Sequence, residues 1–368
     1  MEVEFNPSRL SLARRRRGYT KKALADALSV SVRMITSYES GIYEPRDTTL
    51  AKASEILDFP IEFFGGEDLD EPPIEGSSFR ALTRLTARVR DRAIAAGSLA
   101  MALSDWINDK FVLPVPNVPR YQGVDPETAS VAVRNEWGLG ELPIRNMIHL
   151  LESHGIRIFS LTEDAVEMDA FSCWRDEVPH VFLNTMKSAE RSRMDAAHEL
   201  GHLVLHWHGK ARGRDAEHEA NLFGSAFLMP EKSIRAIIPY GANLNNLIQA
   251  KRKWRVAVSN LSYRLHTVGL LSDWHHRMLF KEMNRKGYLK NEPRGINAET
   301  SQVLGKVFKA LRDEGIPMSK VAHELCIYPD ELNKLVFGLT LTALMGKGKS
   351  TRPSRQDDTP PDLRIVYP

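Results

Sequence analysis

The sequence predicts a mainly α protein: an N-terminal unit of five short helices, an α+β domain around a small sheet, and a helical C-terminal region. Apolar residues recur at helical spacing along most of the chain, while only three short stretches between residues 157 and 184 are strand-like. Residues 21–41 hold two short helical runs separated by a tight turn. The segment Ala197-His198-Glu199-Leu200-Gly201-His202 puts two imidazoles one turn apart on a further helix.

Within residues 8–64, Ser8–Arg17 makes the first helix and Gly18-Tyr19 breaks it. Thr20 caps a second over Lys21–Leu28, where Leu24, Ala25 and Leu28 share a face; Ser29-Val30 turns the chain, and Ser31 caps a third ending at Gly41. So short a turn, with small Ala25 at the crossing, fits a helix-turn-helix. The stretch resembles the XRE class of Cro-like DNA-binding domains, down to Ile35-x-x-Tyr38-Glu39-x-Gly41, Pro45 and a helix over Thr48–Leu57.

That resemblance implies a double-stranded DNA operator as partner, with the third helix in the major groove. Spacing turns Ile35 and Tyr38 inward and leaves Val32, Arg33, Thr36 and Ser37 outward, with Ser31 at the helix start. Arg33 is the candidate base reader, because arginine can bond two acceptors on a guanine edge. Thr20, Lys21, Lys22 and Arg46 are expected to hold phosphates. Arg14 to Arg17 fill a whole helical turn, so at most two can face DNA and the rest are expected on a solvated face. A homodimer is compatible with this reading.

Residues 65–78 are acidic and broken by Gly66, Pro72, Pro73 and Gly76, the composition of a linker. This gives boundaries at 1–64 for the DNA-binding unit, 79–275 for the α+β domain, 276–345 for the helical C-terminal region and 346–368 for a disordered tail. Helices are expected over Phe79–Asp109, Pro126–Trp137 and Leu142–His154, with Pro114-x-Pro116-x-x-Pro119 as an extended connection. Strands follow at Arg157–Leu161, Ala170–Trp174 and His180–Asn184, with turns at Glu163-Asp164 and Asp176-Glu177. The sequence leaves open which strand forms the edge. His149, His154 and His180 are read as surface or core residues.

The next helix begins near Ser188 and buries Met194, Ala197, Leu200, Leu203, Val204 and Trp207. Residues four apart lie about 40° apart around a helix, so His198 and His202 can hold one ion between them. Neutral imidazoles suit Zn²⁺, and Glu199 beside them can act as general base toward a water molecule. A third ligand is sought on the helical run Glu217–Pro230. Glu217 shares its face with Ala220, Asn221 and Gly224, small enough for close helix packing, whereas Glu219 lies with Leu222, Phe223 and Ala226. Glu217 is therefore the chosen ligand.

The two segments together resemble the ImmA/IrrE family of gluzincin-like metallo-endopeptidases, in which an HExxHxxxH helix is followed by Glu-x-x-Ala-Asn/Asp-x-Phe and Leu-Met-Pro. His198, Glu199, His202 and His206 match the first part; Glu217, Ala220, Asn221, Phe223, Leu228, Met229 and Pro230 match the second. The resemblance implies a zincin-like domain holding one Zn²⁺ per chain on His198, His202 and Glu217, with Glu199 as catalytic base. It also implies a protein substrate, typically a repressor. Gly224 stands where the family more often has alanine. Asn221 stands where many zincins have an aspartate behind a ligand histidine, and an amide oxygen orients that ring more weakly. His206 is too far along the helix to be a ligand and is read as a contact to substrate or to the back of a ligand. The rival reading is a non-enzymatic regulator or antitoxin whose zinc is structural.

Beyond Pro230, Ile234–Leu271 reads as helices, with Tyr263 and His266 taken as structural rather than as oxyanion donors. Ile316–Leu325 followed by Pro329–Leu332 has the outline of a second helix-turn-helix; Asp330 and Glu331 replace a basic face, so a protein contact is expected. The chain is 368 residues long with a net charge of +3, so DNA contact must come from a local patch. Its only cysteines, Cys173 and Cys326, are too few for a disulfide framework. No apolar run is long enough to span a membrane, and Met1–Pro7 has no secretion signal, so a cytoplasmic protein is expected.

Overall fold

The computed structural model describes residues 4–73, 86–161, 170–207 and 213–340. The N-terminal unit is α1 (Pro7–Arg16), α2 (Lys21–Leu28), α3 (Val32–Glu39) and α4 (Asp47–Leu57), closed by a 3-10 turn at Ile61–Gly65 in place of a fifth α-helix. The expected caps form: Thr20 Oγ1 accepts from the Ala23 N–H at 3.0 Å and Ser31 Oγ from Met34 at 3.2 Å. Between α2 and α3, Ser29 takes the left-handed φ of +60° that turns the chain. Leu10, Leu24, Ala25, Ile35, Leu50, Leu57 and Phe63 bury the apolar faces against one another.

The central part runs α5 (Ala87–Lys110), α6 (Pro126–Glu136), α7 (Met147–Ser153), β1 (Arg157–Ser160), β2 (Ala170–Arg175), β3 (Val178–Leu183), α8 (Ala189–Leu205) and α9 (Arg214–Leu228). The N-terminal part of the helix expected from Phe79, up to residue 85, lies outside the described residues, as does the Glu163-Asp164 turn. α7 starts later than the expected Leu142, because Asn146 supplies the cap by accepting from the His149 N–H at 3.0 Å. The sheet order is β1-β3-β2, with β1 parallel and β2 antiparallel to β3. Asp176 and Glu177 both have positive φ, +48° and +63°, which is the geometry of a two-residue hairpin turn whose twist matches its strands. β2 and β1 are thus the edges, and β2 lies beside α8.

α10 (Glu231–Arg235), α11 (Leu244–Trp254), α12 (Val258–Thr267), α13 (Asp273–Arg285), α14 (Gln302–Asp313), α15 (Met318–Glu324) and α16 (Pro329–Val336) complete the described chain. The second helix-turn-helix outline is α15–α16, and its protein contact is with this chain itself: α16 packs on β1 and α5. His154 stacks on Trp137 with centroids 3.9 Å apart, and His180 is buried in the sheet, so both serve the core.

The reading of Arg14 to Arg17 as DNA-facing or solvated residues is wrong. α1 lies against α5, which turns that helical face inward, and each arginine is taken up by a carboxylate of the same chain. Arg14 bonds Glu39 at 2.5 Å and Arg15 pairs with Glu71. Arg16 and Arg17 both reach Glu331 of α16 at 2.5 Å, and Arg17 also lies 4.5 Å over the Phe59 ring. Buried guanidinium groups demand such partners, because an unpaired buried charge costs several kcal/mol.

Burial by itself would raise the Glu331 carboxyl, but Arg16 and Arg17 outweigh it and hold the group below its ordinary value of 4.5. A folded value lowered in this way stabilises the fold above the unfolded value and ceases to do so as pH falls through the folded one. Glu331→Gln is therefore expected to cost about 3–5 kcal/mol at neutral pH, with a shallower loss of stability on acidification than the wild type. Urea unfolding between pH 3 and 7 measures both, and a cost under about 1 kcal/mol would mean that the triad does not fasten the two ends of the chain.

Candidate metal centre

His198 and His202, one turn apart on α8, bring their Nε2 atoms to 3.0 Å from each other. Glu217, near the start of α9, places Oε2 3.7 Å from His198 Nε2 and Oε1 3.6 Å from His202 Nε2. Four-coordinate zinc with bonds of about 2.0–2.1 Å needs donor atoms about 3.3 Å apart, so 3.0–3.7 Å fits one ion. Among the described residues these three form the only His, Cys, Asp and Glu group of this kind.

The polar groups behind the imidazoles turn the right nitrogens forward. Asn221 Nδ2 donates to the Glu217 carbonyl at 2.8 Å, which leaves its Oδ1 to accept from His198 Nδ1–H at 3.2 Å. His206 Nε2–H donates to the Glu219 carboxylate at 2.8 Å, so its Nδ1 can accept from His202 Nδ1–H at 3.0 Å. Both ligand imidazoles therefore present an unprotonated Nε2 to the centre. Burial pushes His198 down to about 4, holds His202 well below its ordinary value of 6.5 and lowers His206, which favours the neutral form of each at pH 7.

Glu199 follows His198 on α8 and turns toward β2, where it is 2% exposed and accepts from Ser172 Oγ at 2.6 Å. Trp174, two residues along the same face of β2, donates to the Leu203 carbonyl at 3.3 Å and keeps the strand seated on α8. Burial, with the Glu199 charge second, pushes the Cys173 thiol up to about 12, so it is not a nucleophile. His266 pairs with Asp273 at 2.6 Å, in keeping with its structural reading. Sequence reasoning missed Ser172 and the Glu219–His206 pair. A lone hydroxyl in an apolar strand, and a carboxylate set aside as a ligand, were the signals.

On the helix-turn-helix, Val32, Arg33 and Thr36 of α3 are exposed, as are Thr20, Lys22, Ser31 and Arg46. Ser37 is not: it is 8% exposed, and its carbonyl accepts the N–H groups of Ile42 and Tyr43 where the chain folds back after α3. Ser37 is therefore withdrawn from the DNA-contacting set. Lys21 lies 3.2 Å from the Glu39 carboxylate, so part of its charge is already engaged. Ile42 and Tyr43 stand 68% and 60% exposed just beyond α3, a feature the sequence did not single out.

Fold and site together define a regulator-type helix-turn-helix joined to a metallopeptidase-like domain. Residues 10–64 match a family model described as helix-turn-helix, and residues 151–266 match a peptidase-family model described as the IrrE N-terminal-like domain. The chain thus fuses an XRE-type helix-turn-helix to a domain of the ImmA/IrrE kind. No curated protein matches it.

The geometry separates the two glutamates experimentally. Elemental analysis after desalting is expected to find one divalent ion per chain in the wild type, loss of it in Glu217→Gln, and a 10–100-fold weaker but still measurable affinity in Glu219→Gln. Full metal in Glu217→Gln with complete loss in Glu219→Gln would reverse the assignment.

Proposed function

We propose that this protein is an operator-binding transcriptional regulator whose second domain is a zinc-dependent endopeptidase acting on a partner repressor or another regulatory protein in the cytoplasm. The reading rests on one observation above the others: His198, His202 and Glu217 converge from two helices beside a buried carboxylate, Glu199, that a purely structural metal would not need.

Zn²⁺ held by those three side chains would act as a Lewis acid on a peptide carbonyl and lower the pKa of water toward neutrality. Glu199 accepts the proton of the attacking water and passes it to the departing amine nitrogen. Ser172 holds the Glu199 carboxylate in place from β2. Asn221, and His206 with Glu219, hold the two imidazoles at fixed orientation. Among the described residues no strand pairs with the outer edge of β2, so an extended substrate backbone can add there as a further strand. This reading favours a segment of a protein as substrate over a small ligand.

On the DNA side, Arg33 at the exposed start of α3 reads a base, and Thr20, Lys22, Ser31 and Arg46 position the phosphates, with Lys21 contributing less because of Glu39. Val32 and Thr36 supply short-range contacts in the groove. Arg33→Ala is expected to cost about 1–3 kcal/mol at one base pair of the operator, while Lys22→Ala weakens all sequences alike and flattens the salt dependence. Fluorescence titrations at several salt concentrations distinguish them; equal losses on operator and random duplex for Arg33→Ala would remove it as a reader.

Catalysis is tested by Glu199→Gln, which keeps the shape of the base and cannot take the proton. Metal content and operator binding should be retained, while cleavage of the partner repressor falls 10²–10⁴-fold. Identical repressor integrity and identical target-gene expression in wild type and variant under inducing conditions would leave a metal-stabilised, non-enzymatic regulator.

A further inference from the structure

A cleft of about 850 Å³, within the size range of small-molecule sites, opens between the start of α7, the end of α11 and the loop over residues 294–300. Its walls carry Arg145, Arg252, Lys253, Arg255 and Arg294 against one carboxylate among the described lining residues, Glu299. That carboxylate lies 3.9 Å from the Arg255 Nε and so offsets part of one of these cations, but its main partners are elsewhere. It is 4% exposed, pairs with the buried Arg193 of α8 and accepts from the Met147 N–H at 2.8 Å. The mouth is therefore a concentration of positive charge in a chain whose net charge is only +3.

Two of these arginines also stand in unfavourable backbone conformations. Arg255 has φ +57° and Arg294 φ +53°, the left-handed region that glycine adopts freely and arginine does not. Strained positions that keep a charged residue cluster at binding sites. Arg294 Nη1 donates to Gln249 Oε1 at 2.5 Å, which fixes its guanidinium on the α11 side of the cleft. Ile144 and Ile296 add apolar wall between the charges.

We propose that this cleft binds a small polyanion carrying two or more clustered phosphates or carboxylates. Planar guanidinium groups bond both kinds of anion through paired N–H donors, and five cations around one concavity exceed what a single anionic group can satisfy. The cations line the walls of a recess rather than a ridge or flat track, which favours a compact ligand over a duplex backbone. The Glu299–Arg193 pair joins this wall to α8 five residues before His198. The proposal is independent of the peptidase reading.

Calorimetric titration of the full chain at low salt with pyrophosphate, ATP and citrate tests it. At least one probe is expected to bind once per chain; phosphate probes alone mark a phosphate ligand, and citrate binding equally marks one recognised by its charge. Arg255→Gly combined with Arg294→Gly removes two cations while giving both left-handed positions the residue that tolerates them. Binding should weaken at least tenfold without a fall in melting temperature. Arg252→Gln with Lys253→Gln, both on the exposed surface, should give a comparable loss by an independent route. Absence of binding by all three probes, or unchanged affinity in both double variants, overturns the proposal.

Discussion

The candidate metal centre depends on how closely α8 and α9 approach. A Cβ on Gly224 would stand 2.9 Å from the His198 backbone nitrogen and 3.0 Å from the Ala197 carbonyl carbon; one on Gly201 would stand 3.1 Å from Ala220 Cα. Backbone atoms inside a packed helix pair cannot retreat as a flexible side chain can. Alanine at Gly224 would gain about 1 kcal/mol of helix propensity, yet it would meet main chain on both counts. The glycine that departs from the family's usual alanine is therefore matched to this particular contact. At that separation Glu217, two turns before Gly224 on the same face, reaches the two imidazoles with its short side chain. Arg134 and Arg264 secure the far end of α9 by donating to the Phe227 and Met229 carbonyls.

A second constraint ties the DNA-binding unit to that frame. Arg16 and Arg17 leave α1 and meet Glu331 of α16, nearly the whole described chain away, while α16 in turn rests on β1 of the sheet. The N-terminal unit is thus fastened through one buried carboxylate to the sheet whose other edge, β2, carries Ser172. In a regulator with a peptidase-like domain, such a link makes the orientation of the recognition helix and the position of the sheet parts of one structure. The arginine face of α1 opposes separation of the two.

Local chemistry made much of this legible from residues alone. Thr20, Ser31 and Ser188 cap the helices that their positions suggested, and the i, i+4 histidines with Glu217 meet as their helical faces required. The misreadings share a cause. Arg14 to Arg17 looked solvated because their partners lie outside their own helix, from Glu39 and Glu71 to Glu331 more than three hundred residues on, and no local pattern reports such a neighbour. Ser37 looked outward by helical spacing, but it is buried, and the chain returning at Ile42 and Tyr43 bonds its carbonyl. The start of α7 slipped because Asn146 out-competes Leu142 as a beginning, and the edge strand emerged only with the β1-β3-β2 order.

The softness expected behind the ligands is distributed unevenly. His198 has only the neutral amide of Asn221 behind it, at 3.2 Å, where an aspartate would have brought a full charge. Behind His202 the order is imidazole, then carboxylate: His206 at 3.0 Å, with Glu219 at 2.8 Å beyond it. Polarisation runs along such a chain, so the Glu219 charge makes His202 the stronger electron donor even though it touches neither ligand. Glu219 was set aside because its face carries bulky neighbours, and in the structure it lies against His206 rather than at the candidate ion position. One helix thus supplies two glutamates two residues apart, Glu217 facing the centre and Glu219 facing its support. The negative charge missing at Asn221 reappears on Glu219, behind the other histidine.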